Sequence, residues 1–132
     1  MTDSADVVRT FLDLLQNGRA AEAVELLAED VEWRNTGAPT VRGTRVRDIL
    51  LQLERRAIRF RADLTHVAAD GEVVLTDRVD HLAFGRWESS FWVCGTFRVR
   101  DGKIVLWDDH YAIGNVLAGS VAGLVRMLAS RG

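Results

Sequence analysis

From residue 58 to residue 113 the chain alternates apolar and polar side chains with a period of two, in four runs: IRFRADLTHVA, VVLTDRVDHLAF, SSFWVCGTFRVR and KIVLWDDHYAI. A strand turns every second side chain to the same face, so each run predicts a strand with one buried side. Turns at Ala69-Asp70-Gly71 and Arg100-Asp101-Gly102 join them into successive antiparallel hairpins. Before this meander the period is helical. Ser4 is placed to cap a helix with the stripe Val7, Val8, Phe11, Leu12, Leu14 and Leu15, ended by Asn17-Gly18. A short helix is predicted over about 20 to 28, a strand at DVEWRN, a loop at Pro39 and another helix over 44 to 56. An apolar helix closes the chain. This order predicts an α+β fold, one domain over 1–132. Its strongly curved mixed or antiparallel sheet, with helices at both ends of the chain, would form a cone around a deep apolar pocket.

Polar residues on the apolar faces change the picture. In VLTDRVDHLAF, Arg78 and Asp80 share a side with Val74, Leu82 and Phe84, where unpaired charge is costly. An ion pair on an exposed face is the plain alternative. In KIVLWDDHYAI, Asp109 keeps company with Val105, Trp107, Tyr111 and Ile113, while Asp108 alternates away. In VEWRN, Asn35 lies with Val31 and Trp33, leaving Glu32 and Arg34 outward. The remaining inward set, Ile58, Phe60, Ala62 and Leu64, is uncharged, with His66 near its end. Asn35, Arg78, Asp80 and Asp109 therefore point inward from different strands, as a site would. A guanidinium can hold two carboxylates at once. Two carboxylates and a carboxamide suit addition of water: one carboxylate takes a proton from water, the carboxamide orients it, and the other carboxyl protonates a leaving oxygen.

Composition narrows the partners. The 17 basic and 19 acidic residues of this 132-residue chain are interspersed and leave a net charge of -2, so no nucleic-acid partner is expected. The local group Arg55, Arg56, Arg59 and Arg61 reads as a solvated face. Cys94 stands alone, which excludes an intrachain disulfide and reads as a packed thiol, and the N-terminus has no apolar secretory core. The stretch AIGNVLAGSVAGLVRMLA is broken by Asn115, Gly119, Ser120 and Arg126, so no membrane span is expected and a cytoplasmic location is. His66, His81 and His110 lack metal-ligand spacing, and Gly114, Gly119 and Gly123 match no phosphate loop.

Trp33-x-Asn35, Thr76-Asp77-Arg78-Val79-Asp80 and FWVCGTFRVRDGKIVLWDD ending at Asp109 resemble limonene epoxide hydrolase and its relatives, a branch of the NTF2-like (SnoaL-like) cone fold. The similarity runs from about Val7 to about Leu128. It implies metal-free, cofactor-free hydrolysis of an epoxide to a vicinal diol, with Asp109 as general base, Asp80 as general acid, Arg78 bridging them and Asn35 holding the water. The family usually has a tyrosine where Trp33 stands, and an indole NH donates a hydrogen bond but cannot accept one. Walls from Trp33, Leu64, Leu82, Phe84, Trp107 and the last helix imply a small hydrophobic epoxide. A homodimer through the sheet is expected by resemblance. Two other classes stay open: a cyclase or isomerase of the SnoaL or ketosteroid-isomerase type, and a non-catalytic ligand-binding or dimerisation domain.

Overall fold

The computed structural model describes residues 3 to 129. Helix α1 (Ser4–Gln16) leads into the short α2 (Ala20–Ala23), a 3-10 turn (Val24–Leu26) and strand β1 (Leu27–Asn35). Then follow β2 (Val41–Arg42), α3 (Thr44–Arg55), β3 (Arg59–Asp70), β4 (Val73–Phe84), β5 (Trp87–Arg100), β6 (Lys103–His110) and α4 (Ile113–Ala129). The strands form one curved sheet in the order β2-β1-β6-β5-β4-β3. Every neighbouring pair is antiparallel except β1 and β6, which run parallel.

Helix α1 buries Val7, Val8, Phe11 and Leu12 against the inward sheet face, where Val31, Val74, Phe97, Ile104 and Trp107 complete the core. Its N-cap is Asp3 and not Ser4. The Asp3 carboxylate accepts from the Ala5 backbone N–H at 3.3 Å, and its charge suits a helix N-terminus. The second helix is shorter than its sequence suggests because Leu27 already pairs with Ile104 in the sheet and is buried there. Likewise β6 stops at His110, and the chain turns at Ala112, whose carbonyl accepts from the Asn115 and Val116 N–H groups at the start of α4.

The bulge between Leu64 and His66 interrupts the alternation of β3. Phe60 and Leu64 remain partly buried against the core, but His66 is turned outward beside Asp77, with Nδ1 3.3 Å from the carboxylate. That corrects the inward placement read from uninterrupted alternation.

Helix α4 lies along the part of β5 that extends past the end of β6, whose pairing begins only at Cys94. Gly119 and Gly123, one helical turn apart, face this strand. A Cβ on either would overlap the backbone carbonyl oxygen of Ser90 or Glu88. The missing side chains are what let helix backbone approach strand backbone. On its far side α4 exposes Leu117, Val121, Leu124, Val125 and Leu128. No helix among the described residues is long and apolar enough to cross a membrane.

Candidate active site

Four residues from four adjacent strands lie in one row across the sheet. Thr76 of β4 is the register partner of Gly95 on β5, Gly95 of Asp109 on β6, and Asp109 of Asn35 on β1. Arg78 and Asp80 stand on the same face of β4, because they follow Thr76 by two and four residues. Arg78 is fully buried, Asp80 is 6% exposed and Asp109 5% exposed.

Their contacts form one ion cluster. Arg78 Nε donates to Asp80 Oδ1 at 2.7 Å and Nη2 to Asp80 Oδ2 at 3.1 Å, a bidentate fork. The same Nη2 donates to Asp109 Oδ2 at 2.8 Å. Nη1 donates to the Thr76 hydroxyl at 3.0 Å, and Thr76 in turn donates to the Gly95 carbonyl at 3.2 Å. Asp109 Oδ1 is buried without a hydrogen-bond partner among the described residues. Burial opposes charge on Arg78, but Asp109 and Asp80 outweigh it and hold the guanidinium above its ordinary pKa. For Asp109 burial dominates and pushes the carboxyl up to about 6; the charge and hydrogen bond of Arg78 pull it down, and the charge of Asp80 adds to the rise. The Trp107 indole, beside Asp109, helps slightly to hold it charged, although its N–H falls outside hydrogen-bond geometry.

Above this cluster lies a cavity of about 450 Å3. Asp80, Asp109, Asn35, Trp33, Leu82 and Trp107 all line it. Trp33 stacks on Trp107 with centroids 4.4 Å apart and planes 13° from parallel, and the N–H of each indole is buried with no partner among the described residues. Two expected wall residues lie elsewhere. Leu64, two strand periods beyond Phe60, falls under α1 in a separate groove with Arg9, Leu12 and Asp13. Phe84 sits at the end of β4 beside the β4–β5 turn and is 60% exposed.

Other lining residues were not singled out in the sequence: Ser89, Phe91 and Val93 of β5, Tyr111, and Val116 and Ser120 of α4. The alternation of SSFWVCGTF already places Ser89, Phe91, Val93 and Gly95 on one face. Nothing local distinguishes a cavity wall from packed core. Tyr111 is raised above its ordinary pKa by burial, and the charge of Asp109 adds to this. Asp108 points away from the cluster, toward His110 at 3.2 Å. Among the described residues no group of three or more His, Cys, Asp or Glu could hold a metal ion.

The family model of the limonene-1,2-epoxide hydrolase catalytic domain matches residues 2–122. The chain belongs to the limonene-1,2-epoxide hydrolase family. It is 36% identical over 121 residues, 92% of this chain and 81% of the other, to epoxide hydrolase EphG of Mycobacterium tuberculosis (strain ATCC 25618 / H37Rv). Among solved structures it is similar to a limonene-epoxide-hydrolase-like epoxide hydrolase of M. tuberculosis, at a TM-score of 0.92 and 34% identity, covering 96% of each chain. The fold extends to more distant NTF2-like proteins, such as one from Burkholderia pseudomallei K96243 at a TM-score of 0.74 and 16% identity, covering 91% of this chain and 98% of the other. Membership in the limonene-1,2-epoxide hydrolase family supports an epoxide hydrolase activity.

Proposed function

We propose that the protein adds water to a hydrophobic epoxide in one step, giving a vicinal diol, with Asp80, Arg78, Asp109 and Asn35 as the reacting and orienting groups. The observation that carries this reading is the single Arg78 guanidinium holding both carboxylates at the cavity wall, 2.7 Å from one and 2.8 Å from the other. In this reading a water sits between Asn35 and Asp109, register partners across the β1–β6 seam. It gives one proton to the unpartnered Oδ1 of Asp109 and forms its new bond to an epoxide carbon. The C–O bond of the ring breaks, and Asp80, holding a proton on the side facing the cavity, passes it to the departing oxygen. The proton left on Asp109 then returns to Asp80, and both carboxylates share Arg78 Nη2.

Trp33 takes part as a donor only. Its unpartnered Nε1–H can bond to one lone pair of the water and leave the other for attack. A cavity of about 450 Å3 with largely apolar walls suits a small-molecule epoxide. The reaction so written uses side chains alone and calls for no cofactor. The same reading takes the active species as a homodimer through the outer sheet face, where Leu75 and Trp92 are half exposed, and sedimentation velocity tests that assembly.

The deciding experiment incubates the protein with a panel of terpenoid, steroid and lipid-derived epoxides and identifies diols by mass. Single turnover with excess enzyme in oxygen-18 water is expected to place the label in the diol at once. An unlabelled first-turnover diol, with label in Asp80 or Asp109, would mean an ester route; absence of any diol would leave a cyclase, an isomerase or a binding domain.

A further inference from the structure

The guanidinium of Arg78 has three nitrogens, and the acid–base reading uses two of them. Nε and Nη2 serve the carboxylates, while Nη1 is turned to the opposite side, onto Thr76. Thr76 is 2% exposed and its hydroxyl is engaged twice. Its proton goes to the Gly95 carbonyl, so the oxygen can meet Arg78 only as an acceptor. Beneath the guanidinium lies Gly95. A Cβ there would overlap Arg78 Nη1 and come within 2.8 Å of both Asp109 Oδ1 and Thr76 Oγ1. Arg78 thus leans back along β4 and fills the place that a side chain at the centre of the row Thr76, Gly95, Asp109 would take.

We infer that Thr76 and Gly95 are positioning residues: together they form the seat that aims the Arg78 fork at Asp80 and Asp109, Thr76 by holding Nη1 and Gly95 by leaving the space. This rests on the acid–base reading above and adds to it the residues that act through Arg78 without touching substrate. A guanidinium held on two sides cannot swing away from one carboxylate to serve the other. With Thr76 gone, Nη1 loses its acceptor in a buried setting, the fork tilts, and the Nη2 contact to Asp109 weakens. The other titratable groups facing Asp109 are Asp80 on β4 and Tyr111 just beyond β6. The neighbouring β1 and β5 present Asn35, Trp33, Phe91 and Gly95, none of which titrates.

The test uses the full chain with Thr76→Val, Thr76→Ser and Gly95→Ala. The valine keeps the shape and removes the hydroxyl. It is expected to lower kcat roughly 10- to 100-fold with KM nearly unchanged, as loss of a hydrogen bond to a charged group does. Thr76→Ser is expected to restore kcat, and Gly95→Ala to lose more than Thr76→Val. Independently of turnover, the Asp109 carboxyl followed by 13C NMR is expected to titrate at higher pH in Thr76→Val than in wild type, and as wild type in Thr76→Ser. The acidic limb of the kcat profile should move the same way. A folded Thr76→Val protein with wild-type kcat and wild-type Asp109 titration overturns the seat, even if Gly95→Ala fails to fold. If the wild type forms no diol, the acid–base reading falls and the NMR comparison alone decides the seat.

Discussion

In the proposed reaction Asp109 sets the pH behaviour of the site, because it is the carboxyl that burial disfavours most plainly. Its folded value of about 6 lies above its ordinary 3.8, so it is mainly charged, and in its proposed role of base able to take a proton from water, only above that pH. Activity is therefore expected to rise as pH increases through about 6. For stability the sign is opposite. A pKa raised on folding stabilises fully below the unfolded value, and that stabilisation is lost as pH climbs from about 4 through about 6, of order 3 kcal/mol in all. Asp109→Asn removes this loss while keeping an oxygen to accept from Arg78. We expect it to reduce turnover by at least ~100-fold and yet to melt at a higher temperature than wild type at pH 8. A lower Tm there would contradict the account. Asp108→Asn is expected to be nearly silent in turnover, since Asp108 faces His110 on the other side of the sheet.

Among the elements, the strands were legible and their interruptions were not. The period of two assigned Asn35, Arg78, Asp80 and Asp109 to inward faces correctly, because a buried face leaves a regular apolar signature on every strand that borders it. It could not register the bulge that turns His66 outward. Nor could it distinguish where along a face α1 covers Leu64, or that Phe84 at the hairpin end is left exposed. Those depend on which element packs above a strand. The glycines of α4 are the same case: their spacing is visible in the sequence, but its purpose appears only beside β5. Gly123→Ala places a Cβ against the Glu88 carbonyl, so it is expected to force α4 away from β5 and lower Tm. Gly114→Ala in the same helix meets nothing within 4 Å and is expected to be neutral or stabilising by up to ~1 kcal/mol. Similar melting curves for the two variants would refute the close approach of helix to strand.

At the scale of the whole molecule, the cavity draws its walls from α1, β1, α3, β3, β4, β5, β6 and α4, so no fragment of the chain could enclose it. The two halves of the proposed chemistry nevertheless arrive by different routes. Strands β3 to β6 are neighbours in the sheet in the order in which they are made, so hairpin formation alone brings Arg78 and Asp80 to Asp109. Asn35 reaches the same row only when β1, from the first third of the chain, docks in parallel on the last strand. Contacts between distant segments form late, since the entropy of closing the intervening loop is lost before they are gained. Folding is thus expected to bring Arg78, Asp80 and Asp109 together before Asn35, the residue proposed to hold the water, joins them. In the folded protein, fluctuations that open the β1–β6 seam would displace Asn35, and with it the proposed water site, without disturbing the ion cluster. Native-state hydrogen exchange is expected to release the amides of β1 before those of central β4 and β5, and equal protection of these strands would refute that order.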